Sequence, residues 1–111
     1  ILNPAGVQEI IDYGLYGFAM SRFAGTWAAI KCVKDNIEST ASVDASIDRL
    51  NIVIPDFDMP PGGLNIRHEI DMLGQEERLH EHKRAAASAF IQANGLNRIV
   101  YSGGMSKSGM T

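Results

Sequence analysis

Residues 7–33, VQEIIDYGLYGFAMSRFAGTWAAIKCV, decide how the chain is read, because their hydrophobic period changes from helical to alternating within one stretch. Val7, Ile11, Leu15 and Phe18 follow helical spacing, while Ile10, Tyr13, Tyr16, Met20 and Phe23 spread the apolar surface well beyond one stripe. Upstream, Asn3-Pro4 forms a helix start: Asn caps free amides, and Pro at the first helical position gives up a hydrogen bond it would not have made. The helix is predicted to run to about Gly25. Gly14 and Gly17 each cost about 1 kcal/mol relative to Ala in a helix interior, so close approach of another element is expected as compensation. Both a core helix and a subunit-contact helix fit this pattern. Residues 27–33 (WAAIKCV) then read as a strand, with Ala28, Ile30 and Cys32 on one face and Lys31 on the other.

The polar run 34–46 follows as a loop or short helix, and residues 50–54 (LNIVI) read as a second, largely buried strand ending at Pro55. Residues 55–63 (PDFDMPPGG) hold three of the four prolines and a glycine pair, the composition of a linker. A second helix is predicted over 75–94. Glu76 and Glu77 sit near its positive end, KRAAASAF supplies helix formers, and Asn94-Gly95 stops it. Its apolar stripe is Leu79, Ala86, Ala87, Phe90 and Ile91. Residues 97–101 (NRIVY) read as a third strand, followed by a glycine-serine tail. The expected fold class is therefore α/β.

At 111 residues and 45% hydrophobic content, the chain holds at most one small core. Ten Lys and Arg against thirteen Asp and Glu give a net charge of -3 without any run of five like charges, which disfavours nucleic acid and anionic membranes as partners. The single Cys32 forms no internal disulfide and supplies no cysteine set for a cluster or structural zinc, so a reducing, cytoplasmic setting is expected. No signal peptide or membrane span is legible, and a soluble chain is expected. Ile1 and Thr111 read as cut ends of an excerpt.

Few motifs carry chemistry. Residues 104–111 (GMSKSGMT) imitate a phosphate-binding loop, but Met110 stands where its lysine belongs, so a linker is the better reading. His80 and His82 lie two apart on a helix, about 200° around, and do not share one ion; Glu76 and His80 suit an exposed contact one turn apart. Cys32, alternating with Ala28 and Ile30, is expected to be a buried, inert thiol. No nucleophile elbow is present. The residues by themselves name no reaction.

Five collinear strings, VQEIIDYGLYGFAMSRFAGTW, KCVKDNIESTASVD, DRLNIVIP, PPGGLNIR and QEERLHEHKRAAASAFIQANGLNRIVYSGG, resemble in this order the long fused form of indolepyruvate ferredoxin oxidoreductase. The likeness covers nearly the whole chain and fades at MSKSGMT. Members of that family use thiamine diphosphate with Mg2+ to decarboxylate aryl or branched 2-oxoacids to acyl-CoA, while [4Fe-4S] clusters pass electrons to ferredoxin. The resemblance implies that residues 1–54 complete a pyrimidine-type thiamine-binding α/β domain. By the same likeness, 55–74 are a linker, and 75–111 supply a helix and a strand entering the next domain. It also implies an internal fragment of an oligomeric enzyme, inactive alone, whose partners are the rest of the polypeptide, CoA, the 2-oxoacid and ferredoxin. The cofactor-activating glutamate, the diphosphate-Mg2+ motif and the cluster cysteines fall on no residue here.

Within this frame, the loop 35–42 (DNIESTAS) leaves the carboxyl end of the first expected strand, where ligands gather in open α/β sheets. Glu38, Ser39, Thr40 and Ser42 are its candidates for facing substrate or cofactor: Glu38 accepts a proton or hydrogen bond, and the hydroxyls suit a carboxylate or phosphate oxygen. Serines that only satisfy their own loop's backbone are the competing reading. A stand-alone α/β scaffold or protein-interaction module, with the first helix as its contact surface, is the alternative function.

Overall fold

The computed structural model describes residues 1–67 and 71–104. Helix α1 spans Val7–Ala24, the short α2 spans Lys34–Ile37, and a 3-10 turn covers Ile47–Arg49. One continuous helical rod follows: α3 (Met72–Arg78), a π turn (Leu79–Lys83) and α4 (Arg84–Ala93). Helices α1 and α4 pack together and make the core.

The α/β expectation is corrected. Among the described residues there is no strand and no sheet, so neither a thiamine-binding α/β domain nor a closing strand is present. The three β-like runs are extended chain without a ladder. In the first, Leu2 N–H donates to the Ala29 carbonyl (2.7 Å) and Lys31 N–H to the Leu2 carbonyl (2.8 Å), a single parallel bridge between Leu2 and Ile30. In the second, the Asn94 side chain takes the place of a neighbouring strand. Its Oδ1 accepts from Val53 N–H and its Nδ2 donates to the Val53 carbonyl, both at 2.7 Å. The third leaves Ile99, Val100 and Tyr101 exposed. β-propensity marks a side chain suited to a half-buried pleated surface, and a strand still needs a partner edge, which these runs do not provide for one another.

The helices hold closer to expectation. Helix α1 begins at Val7, after Gly6 as its N-cap, and not at Asn3-Pro4, because Leu2 is engaged in the bridge and Pro4 holds Asn3 away from the helical region. At its far end Gly25 has φ 65° and returns its N–H to the Ser21 carbonyl at 2.9 Å, the left-handed cap that glycine adopts without strain. The second helix starts three residues before its predicted position, since Asp71 Oδ1 accepts from Gly74 N–H (2.7 Å) as an N-cap. It stops at Asn94-Gly95 as read, with Gly95 at φ 59°.

The core is small. Leu2, Tyr13, Met20, Phe90 and Leu96 form one cluster, and Ala24, Leu64 and Ala86 a second. Phe23 joins them, its ring 6.0 Å from that of Phe90 and 6.2 Å, edge-on, from that of Phe57. Tyr13 completes the seam, its hydroxyl donating to the Leu96 carbonyl at 3.2 Å. Close approach to a helix glycine is met at Gly17, where an added Cβ would lie 3.4 Å from Leu2 Cδ1, and not at Gly14, which faces open space.

Candidate functional site

Helix α2 is a single turn, so its caps define it. Asn36 Oδ1 reaches back to accept from Val33 N–H (2.9 Å), and Glu38 closes the turn with its N–H on the Lys34 carbonyl (3.1 Å). The Ser39 hydroxyl donates to the Asp35 carbonyl. It is thus turned inward on its own loop, the backbone-satisfying use of serine. Glu38, Ser39, Thr40 and Ser42 all stand exposed along this stretch. Without a sheet they have no carboxyl edge to lie beyond, and they line none of the cavities described below.

Cys32 is exposed, because the run around it is bridged at one point only and has no apolar face to bury. Glu76 Oε1 lies 3.8 Å from His80 Nε2 on the exposed side of the rod, and Arg84 Nη1 approaches His80 Nδ1 at 3.3 Å. Among the described residues no group of three His, Cys, Asp or Glu side chains is placed to hold a metal ion. The glycine loop 104–111 falls outside the described residues apart from Gly104. Among them no helix is long and apolar enough to cross a membrane.

The strongest polar constellation is one that sequence reasoning missed. Glu9 on α1 is buried, with 7% of its surface exposed. Its Oε2 accepts from Ala5 N–H at 2.7 Å and its Oε1 pairs with Arg98. Burial pushes the carboxyl up, but the Ala5 amide and the bond and charge of Arg98 together outweigh it and hold Glu9 below its ordinary value. One turn on, Asp12 Oδ1 receives Arg49 Nη2 at 2.6 Å and Gln8 Nε2 at 3.1 Å. Gln8 and Asp44 exchange two further bonds, so the 3-10 turn is laced to α1. Shallow cavities of about 180 and 290 Å3 flank Glu9 and Arg98. Every acid in this seam has a partner. Glu9 at an i, i+3 position from Asp12 is a visible signal; their distant partners, Arg98 for Glu9 and Arg49 for Asp12, are not.

Two larger concavities lie on the other side of α1. A groove of about 370 Å3 runs over Gly14 and Gly17, walled by Phe18, Trp27 and Ile30. A cavity of about 680 Å3 lies where the π turn meets the end of α1, with Arg67, Arg78 and Lys83 on its wall. Helix α1 presents Ile11, Leu15 and Phe18 to solvent beside a fully exposed Trp27. The chain matches no family model, no curated protein and no solved structure.

Proposed function

We propose that this chain is a packing segment of a thiamine diphosphate-dependent 2-oxoacid:ferredoxin oxidoreductase, acting on indolepyruvate or a similar aryl or branched 2-oxoacid. Two things support the reading: the five collinear strings resembling that family, and an apolar surface that the chain does not cover itself. The second carries it. Trp27 is 101% exposed and Phe18 69%, next to a groove along α1, an arrangement suited to burial against another part of an assembly. A cytoplasmic, oligomeric enzyme is the setting that goes with it.

The residues present do not fit the family's cofactors. One exposed cysteine cannot ligate a [4Fe-4S] cluster, and among the described residues no carboxylates are arranged for a Mg2+-diphosphate. Those groups would be held by other parts of the enzyme. Glu38, Ser39, Thr40 and Ser42 remain candidates for facing substrate only in the intact enzyme. The same exposed face also favours an interaction module as a second reading.

The test is to express the natural polypeptide that contains this segment and measure bound thiamine, cluster absorbance and indolepyruvate-dependent reduction of a ferredoxin-type acceptor. All three are expected. A polypeptide that folds and lacks thiamine and cluster would overturn the enzyme in favour of the module.

A further inference from the structure

The π turn Leu79–Lys83 holds one residue more than a regular helical turn, and Arg84 N–H reaches five residues back to the Leu79 carbonyl. In an unbroken α-helix, residues five apart point about 140° apart. Absorbing one residue in the wider turn brings Arg78 and Lys83 onto the wall of a single cavity of about 680 Å3. Lys83 is half-buried and donates to the Gly25 carbonyl at 2.8 Å; burial first, and then the charge of Arg78, pull its ammonium below the ordinary lysine value. Arg78 uses one nitrogen on the Gly63 and Asn65 carbonyls and keeps other donors.

Two cations are thus held near each other out of full solvent, an arrangement that an anion relieves. Among the described residues of the lining, Arg67 adds a third positive group and Glu76 is the one carboxylate, turned toward His80. The lining also takes in Trp27 and Leu79, both exposed, and Met72 at the first turn of α3. π turns inside α-helices are found frequently at functional sites.

We propose that this cavity binds a small amphipathic anion, its oxyanion between Lys83 and Arg78 and its apolar body against Trp27 and Leu79. The inference is independent of the enzyme reading above and uses only this chain. Trp27 is the sole tryptophan, so its fluorescence reports the site.

The experiment titrates the chain with three probes: octanoate, octylammonium with an apolar body one methylene longer and the opposite charge, and inorganic phosphate with charge alone. Octanoate is expected to bind at least tenfold tighter than either of the others. Lys83→Gln, whose amide can still donate to Gly25, and Met72→Glu, which sets a fixed carboxylate at the mouth from an exposed position, are each expected to weaken octanoate about tenfold, or about 1.4 kcal/mol. Should Lys83→Gln fail to fold, Met72→Glu decides. Octylammonium binding as tightly as octanoate, phosphate matching it, or octanoate binding unchanged by Met72→Glu would each overturn the proposal.

Discussion

At the scale of single residues, Glu9 contributes to the acid sensitivity of this fold. Its carboxylate is buried on α1 and satisfied by the Ala5 amide and Arg98, which together hold its folded-state value below the ordinary 4.5. A depressed carboxyl contributes stability that is fully present above the unfolded-state value and is lost as pH falls through the folded one. Glu9→Gln keeps the shape and removes the charge. It is expected to cost about 1–3 kcal/mol in denaturant unfolding at neutral pH, since bonds to a charged acceptor are replaced by weaker ones. The gap between wild type and variant should close as pH drops below about 4.5. A gap that stays constant into acid would show that the charge is not what Arg98 and Ala5 recognise. Asp44, fully exposed and held low by Ser46, titrates in the same direction and adds to the acid loss in both proteins.

At the scale of elements, three glycines of α1 give opposite expectations from similar sequence contexts. Gly25 caps the helix at φ 65°, and a Cβ there would stand 1.9 Å from the Leu64 carbonyl oxygen. Gly25→Ala therefore meets both left-handed strain of about 1–2 kcal/mol and a backbone clash, and its unfolding midpoint should fall by more than that strain alone predicts. Gly14 lies in the helix interior with nothing near its Cβ position. Gly14→Ala is expected to stabilise the free chain by about 0.5–1 kcal/mol, through the lower entropy of the unfolded state. If α1 packs against another part of an assembly, the same methyl fills the groove beside Phe18 and Trp27 and weakens that association. Stabilisation of the free chain with loss of assembly is thus the expected pair of outcomes, read by thermal unfolding and by copurification. A methyl at Gly17 would sit in van der Waals contact with Leu2 and Ala28, 3.4 and 3.6 Å away.

At the scale of the whole molecule, the radius of gyration is 17.6 Å and the extents are 57 × 38 × 28 Å. A compact domain of this length has a radius near 13 Å. The excess comes from extended runs that reach past the α1 and α4 core and carry exposed Ile66, Ile99 and Tyr101. Small-angle scattering of the dilute chain is expected to give a radius nearer 18 than 13 Å. A value near 13 Å would mean that these runs fold back onto the core and leave little apolar surface for a partner, removing the main support for the packing role.

What the sequence determined by itself is what depends on neighbours a few residues away. The apolar period of α1, the Asn94-Gly95 stop, the left-handed Gly25 and the exposed Glu76 and His80 pair all follow from local rules. Only the tertiary structure decided the rest. Residues 27–33, 50–54 and 97–101 have strand composition, but a strand exists only beside another edge, and here one bridge at Ile30 and one side chain, Asn94, stand where ladders were expected. Alternation along 27–33 predicts a buried Cys32, but alternation buries nothing without a sheet to lie on, and the thiol is exposed. Glu9 looks like a surface acid until Arg98, far along the chain, comes to meet it. Lys83 shares a wall with Arg78 only because the helix widens by one residue between them. Burial and pairing are properties of distant contacts, so no local pattern contains them.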